Sequence, residues 1–509
     1  MSRRWPALVL VVALLVGGLL LTGDGGEDDA GRPTDPATLL PVAAPADALG
    51  SVWFCAGQTA GDGTMADGTV VVANVGDASA VGRIEVVSEA GTRAGRALEV
   101  PARTTRRVRV ADVLEAEWAS ARVEVDGGTV VVEHEVVGPR GRDVAACQTT
   151  ASERAYLPSG ATTRDATMRL AIYNPYPDAA TVDLAFATTD ARRRTPSDFQ
   201  GLPVAAQSMI VVDVTPVVTV VPVAAATVTT RRGRVVVERI QTYDGEGAST
   251  TEEEADAEAY RPDGLALTPA VSDPRPVWSF PAGVRSAVAH ERVVVFNPGD
   301  EEAEVEVEVA LEDPARNGTV GPFPLTVPAG EFASLALDEA GSVPEGLTHS
   351  LVVRSVDGVP VVAERWIDAA GEEASYVGVA TSTGSPVAAP RWAFASGRRA
   401  ADEERGRVVV TNPGDAEVTV AVTAVGDGQE VPVPGGRVTL APGARHEVEL
   451  DDLEGARLSL VVEASGPVVA ERRLMAQGAA GADDEEGEQG RGASVAVGIP
   501  LPPGLRPLR

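Results

Sequence analysis

The chain has 509 residues, a formal net charge of −31 and an aromatic content of only 4%. Binding to nucleic acid needs clustered Lys and Arg to neutralise phosphates, so this excess of carboxylates excludes nucleic acid as a partner. The sequence contains no lysine, which also excludes Schiff-base, P-loop and Ser-Lys chemistry.

The first predicted element is an apolar helix near the start of the chain. Arg3 and Arg4 precede an apolar run at 7–21, and residues 5–22 would span about 27 Å as a helix, enough to cross a bilayer. No clear cleavage site follows, so a signal anchor at 1–22 is favoured over a cleaved signal peptide. Basic residues before the run and acidic residues after it predict a single-pass cell-membrane protein with its N-terminus inside and its bulk extracytoplasmic.

The remainder of the chain is predicted to be a linker followed by four copies of one unit. Residues 23–50, rich in Gly, Pro, Asp and Ala, are typical of a flexible linker. Five landmarks then recur four times in the same order, which indicates tandem domains. The predicted domains span 51–152, 153–272, 273–388 and 389–509.

Three of the landmarks define the register of the copies. The aromatic residues that open the copies are Trp53, Tyr156, Trp278 and Trp392. The asparagines of the following turn are Asn74, Asn174, Asn297 and Asn412. The glutamates that end a later valine run are Glu133, Glu238, Glu364 and Glu471. Each of these sets is predicted to occupy equivalent places in the four domains.

The valine-rich runs predict an all-β fold. In EAEVEVEV at 302–309, valine and glutamate alternate, which is typical of a strand with one buried face and one solvated face. About seven short strands per copy, separated by turn signals, favour four tandem immunoglobulin-like β-sandwich domains after the N-terminal transmembrane helix. Only 112–121 shows a weak helical signal beyond that first segment.

The two cysteines, Cys55 and Cys147, lie 92 positions apart. The spacing favours a disulfide in an exported chain over a redox CxxC pair or a reactive thiol. In the aligned copies, Cys55 falls at the position of Phe280 and Phe394, and Cys147 falls near Ala380. The disulfide is therefore predicted to join the first and last strands of the first domain.

Two repeated motifs are candidates for chemistry. Asn-Pro-Gly-Asp at 297–300 is typical of a type II turn; the alternative is calcium bound by the oxygens of Asn297, Asp300, Glu301 and Glu302. The repeated glutamates are expected to form a half-buried ion pair or hydrogen bond, because a glycosidase needs two carboxylates across one bond. The four histidines occur singly, without a zinc motif. The sequence therefore predicts no catalytic, cofactor or metal residue.

Three acidic segments, at 250–259, 370–375 and 482–489, share one position in the repeat, between the valine-Glu strand and the last strand. Such runs are usually solvated and flexible. Their common location leaves cation, surface or partner binding open.

The opening WFCAG at 53–57, the Asn-Pro-Gly turns and the VVVER strand at 235–239 resemble an actinobacterial family of membrane-anchored envelope proteins of uncharacterised function. The resemblance implies location and fold, and it supplies no functional residue. The expected function is a non-enzymatic extracytoplasmic envelope protein, a rod of four sandwiches with a structural role or with a protein or glycan partner. Two alternatives remain: a carbohydrate-binding or enzyme-accessory array, and a calcium-stabilised adhesin.

Overall fold

The computed structural model describes residues 40–508, apart from ten internal stretches and residue 190. Those stretches are 248–261, 287, 312–318, 339, 342, 370–375, 398–403, 452, 454–457 and 477–489. The described residues all belong to one compact unit, Pro36–Arg509.

Most of the described residues lie in strands, and the strands form four successive groups. The first group is β1 (Gly50–Ala60), β2 (Asp67–Asn74), β3 (Ala80–Ser88), β4 (Arg93–Val100), β5 (Thr104–Arg109), β6 (Ala116–Asp126), β7 (Val130–Gly138) and β8 (Gly141–Ala146). The second is β9 (Arg154–Leu157), β10 (Ala166–Asn174), β11 (Ala180–Thr188), β12 (Ala191–Arg194), β13 (Leu202–Val204), β14 (Ser208–Asp213), β15 (Ala224–Arg232), β16 (Val236–Asp244) and β17 (Asp263–Pro269).

The third and fourth groups repeat this series. The third is β18 (Val277–Val284), β19 (Ala289–Phe296), β20 (Ala303–Leu311), β21 (Thr319–Val327), β22 (Phe332–Ala336), β23 (Thr348–Ser355), β24 (Val362–Ala369) and β25 (Tyr376–Ser382). The fourth is β26 (Val387–Phe394), β27 (Glu404–Thr411), β28 (Val418–Gly426), β29 (Gln429–Leu440), β30 (Arg445–Glu449), β31 (Ser459–Ala476), β32 (Gly490–Arg491), β33 (Ala493–Val497), β34 (Ile499–Pro500) and β35 (Arg506–Pro507). Among the described residues the helical elements are two 3-10 turns, Val110–Asp112 and Ser197–Phe199, so the weak helical signal at 112–121 is mostly strand β6.

Each group folds into two sheets that enclose one core, with four strands in each sheet of the first group and five strands in one sheet of the second. In the first group the sheets have the orders β4-β3-β6-β1 and β5-β2-β7-β8, and both sheets contribute to one apolar cluster. The other groups repeat these orders, although β31 runs through both sheets of the fourth. The all-β prediction is confirmed, but the strand order differs from the ABED and CFG sheets of immunoglobulin domains. We call the four groups the first to fourth sandwiches.

The strand register corrects one of the sequence landmarks. Trp53 and Trp278 face Val123 and Val353 of the neighbouring strand, whereas the residue at that place in the second sandwich is Ala155. Tyr156 lies one position later, and a shift of one residue turns a side chain to the other face of its sheet. The tryptophans therefore fill their own sandwich cores, whereas Tyr156 contacts the third sandwich.

The four sandwiches close into a ring rather than the expected rod. Strand β1 packs on β10 and β16 of the second sandwich, β9 contacts β24, β18 packs on β27 and β31, and β26 returns to β7 of the first. The physical reason lies in the valine runs: in β2 the residues from Val70 to Ala73 are all fully buried. A strand buried on both faces needs a second layer outside its own sandwich, and the next sandwich supplies that layer.

The last strands of the sandwiches meet at the centre of this ring. Each of β8, β17, β25 and β33 contacts the next one around the ring. The equivalent residues where they approach most closely are all glycines: Gly141, Gly264, Gly378 and Gly492. A Cβ on Gly378 would lie 2.8 Å from the backbone nitrogen of Ala493. Glycine is required here by the close approach of two backbones.

Substituting Gly378 with alanine is therefore expected to lower the free energy of unfolding by about 1–3 kcal/mol, because the added methyl group overpacks the centre. Urea unfolding of the full chain measures the change. Gly61→Ala is the matched control, since its Cβ would meet only the Thr64 methyl group, at 3.3 Å. Equal losses in both variants would contradict the central role assigned to Gly378.

Residues next to the first and fourth sandwiches close the ring. The Ala43 amide donates to the Pro500 carbonyl (3.1 Å), and the Gly127 amide donates to the Leu49 carbonyl (3.0 Å). The end of the predicted flexible linker is thus packed against both sandwiches. Within the described residues no helix is long and apolar enough to cross a membrane. The predicted single-pass membrane localisation is corrected on this finding, and the segment proposed as anchor, 1–22, lies outside the described residues.

The predicted disulfide between Cys55 and Cys147 is confirmed, with a sulfur–sulfur distance of 2.06 Å. It joins β1 to the residue that follows β8. The strand register places Gly384, not Ala380, at the position of Cys147. In the third sandwich Phe280 packs against Gly384, so an aromatic ring on a glycine occupies the place of the disulfide.

Candidate functional site

The four repeated glutamates lie at the contacts between sandwiches. They lie on β7, β16, β24 and β31, each of which is an inner strand of its sheet. Each glutamate is at most 2% exposed. Each carboxylate accepts the backbone N–H of an equivalent residue at the first strand of the preceding sandwich. The bonds are Gly57 to Glu238 (2.7 Å), Ser159 to Glu364 (3.3 Å), Ala282 to Glu471 (2.8 Å) and Ser396 to Glu133 (2.7 Å).

A basic side chain from the preceding sandwich, an arginine at three junctions and a histidine at the fourth, completes each contact. In every case this side chain belongs to the residue directly after the repeated glutamate of the preceding sandwich. Adjacent residues of a strand point to opposite faces, so the two side chains face opposite sides of their sheet. The pairs are His134 with Glu238 (2.9 Å), Arg239 with Glu364 (2.5 Å), Arg365 with Glu471 (2.9 Å) and Arg472 with Glu133 (2.8 Å). The last pair joins the fourth sandwich to the first.

These contacts suit a structural role better than catalysis. A buried ion pair gains little net stability over apolar packing, but breaking one partner is costly, so it enforces a defined register. Arg365 and Arg472 also lie over the rings of Phe280 and Phe394, at 5.5 and 5.4 Å from the ring centroids. The sequence indicated a half-buried ion pair, but it did not indicate that each pair joins two sandwiches. One signal was present: in the Glu-Arg dipeptide, adjacent charged residues point to opposite faces of a strand that is otherwise apolar.

The turn asparagines hold the second and third strands of each sandwich together. The Asn297 amide nitrogen donates to the carbonyls of Glu301 (2.7 Å) and Val327 (2.9 Å), and its oxygen accepts the Gly299 amide (3.0 Å). Equivalent bonds are made by Asn74, Asn174 and Asn412. The polar atoms of Asn297 are therefore engaged by its own turn and by the end of β21, whereas the Asp300 and Glu301 side chains line a cleft.

The turn after Asn297 lines a cleft of about 530 Å³ between the second and third sandwiches. One wall carries Arg154 and Tyr156 from β9, and the other carries Asp300 and Glu301 together with the turn that begins at Asp357. Four carboxylates and one arginine give the cleft a negative balance. Its concave shape and its charge make it a candidate binding site.

Asp357 is an organising residue of that cleft. Its carboxylate accepts the Glu304 amide (2.9 Å), the Ser355 hydroxyl (2.7 Å) and the Val359 amide (3.1 Å). Slight desolvation would raise the pKa of Asp357, but these hydrogen bonds outweigh it and hold the pKa below its ordinary value. The turn is thus fixed in a conformation that keeps this carboxylate charged.

A smaller cavity of about 160 Å³ lies between the first and fourth sandwiches. Its wall includes Arg142, which donates to Glu135 at 2.6 Å and also pairs with Glu404 of the fourth sandwich. Burial alone would raise the pKa of Glu135, but Arg142 and Arg107 together lower it to about 2. Nearby, burial raises the pKa of Asp143 to about 6, against hydrogen bonds from the Leu267 and Val144 amides. Both cations of this cluster are engaged by protein carboxylates.

The contact of Glu135 with its arginines is expected to weaken in acid. The folded-state pKa lies below the ordinary value of 4.5, so the stabilisation is complete above about pH 4.5 and is lost as the pH falls toward 2. Urea unfolding at pH 6 and at low pH should show the advantage of wild type over Glu135→Gln shrinking by roughly 2–3 kcal/mol. A pH-independent difference would contradict the assignment.

The histidines and tryptophans also have structural surroundings. Beyond the His134 pair, His290 lies 3.2 Å from Asp338, His349 lies 3.0 Å from Glu291, and His446 lies 3.1 Å from the Gly435 carbonyl. In the part of the chain that is described, no three His, Cys, Asp or Glu residues are grouped to hold a metal. The five described tryptophans are all buried, which leaves no tryptophan platform there for a sugar ring.

Comparisons with known proteins identify a family but no function. A model described as a family of unknown function, DUF5719, matches residues 131–401, just over half of the chain. No curated protein matches. Solved structures with similarity include the Anabaena sensory rhodopsin transducer, at 27% identity over 18% of this chain and 95% of that chain, with a TM-score of 0.16.

Two further structures show comparable likeness. Thermotoga maritima 1070 is 24% identical over 21% of this chain and 91% of its own, with a TM-score of 0.19. A Streptomyces avermitilis α-L-rhamnosidase complexed with L-rhamnose is 11% identical over 67% of this chain and 44% of its own, with a TM-score of 0.15. Scores this low carry no argument about the function of this chain.

Proposed function

Since this chain belongs to DUF5719, a family of unknown function, we propose its role from the geometry of its own residues. It is a non-enzymatic, extracytoplasmic binding protein. Its closed ring of four sandwiches is a rigid scaffold, and its turns and the clefts between sandwiches engage a protein partner in the cell envelope. The immunoglobulin-like assignment enters this proposal only as an analogy of architecture.

The observation that carries the proposal is the buried carboxylate contact repeated at all four junctions. Four such contacts hold the sandwiches in one register, because each leaves costly unpaired groups if it opens. Binding residues are commonly found on loops that a rigid scaffold positions. Here the scaffold presents four equivalent asparagine turns, and one of them lines the cleft between the second and third sandwiches.

Two further observations support the proposal. The disulfide between Cys55 and Cys147 favours an oxidising compartment, since such bonds persist outside the cytosol. The four repeated glutamates are buried against protein donors, which removes them as acids or bases for a bound substrate.

The proposal is tested by photo-crosslinking from the full chain in envelope extract. A photoreactive residue is placed at the third position after each turn asparagine, at residues 77, 177, 300 or 415. Controls carry it at Ala90 and Glu246, which are exposed residues in other turns. The expected result is a saturable cross-link to one protein from at least one of the asparagine turns, and none from the controls. Two results would overturn the proposal. One is catalytic turnover, in which the protein chemically converts more than one molar equivalent of an extract component; the other is equal cross-linking from all positions.

A further inference from the structure

We propose that the cleft between the second and third sandwiches binds a basic peptide segment, with Asp300 and Glu301 receiving its cationic side chain and Tyr156 bonding to it through its hydroxyl. This inference rests on the proposed binding function and names the chemistry of the ligand. The cleft is open, and its volume of about 530 Å³ is in the range of sites that hold a few side chains.

The first observation is the hydroxyl of Tyr156. The residue is only 6% exposed, its backbone pairs with Val271, and its ring packs at 6.4 Å from the ring of Phe296 in the third sandwich. Its side chain lines the cleft, yet none of the hydrogen bonds among the described residues involves its hydroxyl. The hydroxyl is not among the described polar atoms that are both fully buried and unpartnered, so it keeps contact with solvent, and a ligand in the cleft can bond to it.

The second observation is the distribution of charge. Of the four carboxylates, Asp273 pairs with Arg275 and Asp357 is bonded within its own turn. Asp300 and Glu301 form no side-chain bond with the rest of the described chain, and they stand on a turn fixed by Asn297. A guanidinium or ammonium group placed between them would form charge-assisted hydrogen bonds, which are about twice as strong as neutral ones.

The other junctions lack this combination. The residues equivalent to Tyr156 are Phe54, Ser279 and Ala393. Phe54 makes the matching ring contact, with Tyr173, at 6.1 Å, but it has no hydroxyl. The cleft is therefore a distinctive feature of the second junction, although the scaffold around it is repeated.

The wall of the cleft also suits an extended peptide. Pro274, Pro298 and Pro360 line it, and each fixes a φ angle and lacks an N–H group. The wall is thus stiff and poor in backbone donors, so little ordering is required when a ligand binds. Recognition then depends on side-chain charge and on the Tyr156 hydroxyl.

The test measures fluorescence anisotropy of a labelled Gly-Arg hexapeptide against the full chain, with a citrulline peptide of the same length as the neutral control. Asp300→Asn/Glu301→Gln is expected to weaken binding at least about tenfold, and Tyr156→Phe about threefold, from the loss of charge-assisted and hydroxyl hydrogen bonds. The matched control Asp415→Asn/Glu417→Gln removes the same charge from the equivalent turn of the fourth sandwich. It is expected to leave binding unchanged, and all variants should keep the wild-type melting temperature.

Three outcomes would overturn the inference: equal binding of the citrulline peptide, equal losses in the two double variants, or binding of Ca²⁺ alone or a neutral oligosaccharide at this cleft in place of the arginine peptide. Failure here is separable from failure of the proposed function. If residues 77, 177 or 415 cross-link to a partner but the cleft does not bind the arginine peptide, the proposed binding function is retained and the proposed site is refuted.

Discussion

Replacing Glu364 with alanine is expected to lower the free energy of unfolding by about 3–5 kcal/mol, the loss typical of a broken buried ion pair. The carboxylate is fully buried. It accepts two hydrogen bonds from Arg239, at 2.5 and 3.2 Å, and one from the Ser159 hydroxyl, at 2.7 Å. Alanine would leave the Arg239 guanidinium, itself 0% exposed, without its counter-charge. Urea unfolding followed by near-UV circular dichroism measures the loss.

A double variant separates the charge from the packing. Arg239→Met/Glu364→Leu removes both charges and fills the space with apolar atoms, and it is expected to be more stable than Glu364→Ala, because neither ion is then left unpaired. Glu463→Ala breaks the solvent-exposed pair with Arg391 and should change stability little. If the double variant is as unstable as Glu364→Ala, the contact does not act through its charges.

Removing the disulfide with Cys55→Ser/Cys147→Ser is the second large effect expected. In the chain-entropy model, a crosslink that closes a loop of this length stabilises the folded state by about 4–5 kcal/mol, since it restricts the unfolded chain. The sequence separation is 92 residues. Thermal and urea unfolding of the oxidised wild type and the variant measure the difference.

The third sandwich offers a matched control for this prediction. Cys55→Phe/Cys147→Gly copies the pair formed there by Phe280 and Gly384, so it restores packing without restoring the crosslink. It is expected to be more stable than the serine variant and less stable than the oxidised wild type. A variant as stable as the oxidised protein would show that the disulfide contributes only packing.

The repeat pattern alone predicts much of the architecture. The alternation at 302–309 appears as β20, in which Val305, Val307 and Val309 are buried and Glu304 is exposed. The disulfide also follows from the sequence, because two cysteines in an exported β-protein have few other roles. The strand depends on residues that are close in sequence, and the disulfide depends on a single pair of cysteines. Each could therefore be predicted without knowing how the sandwiches pack together.

Ring closure was not predicted, because it depends on contacts between residues more than a hundred positions apart. The pair of Glu133 with Arg472 spans 339 residues, and no local pattern specifies it. A signal was present in the unbroken valine run of β2, which is buried on both faces. The run was interpreted as a core strand of one sandwich. An apolar side chain on both faces of the strand indicates that a second sandwich covers the other face.

The cleft was beyond sequence reasoning for a different reason. Tyr156 was aligned with Trp53, but the register places it one residue later, where it faces the third sandwich. A one-residue shift reverses the face of a strand, and composition does not reveal it. Asp300 and Glu301 were weighed for calcium as part of one acidic turn, whereas the structure places them in one cleft with Arg154 and Tyr156 of another sandwich.

The hydrogen bond between Ala43 and Pro500 has a topological consequence. The junction between the first and fourth sandwiches, where the chain closes the ring, has the same buried carboxylate contact as the other three. The sandwich at which the chain starts is therefore arbitrary. A circular permutant that links residue 508 to residue 40 by a glycine-serine segment and opens between β17 and β18 would keep the four buried carboxylate contacts. The molecule is then best regarded as a cycle in which chain connectivity sets the starting point and the four buried carboxylates set the shape.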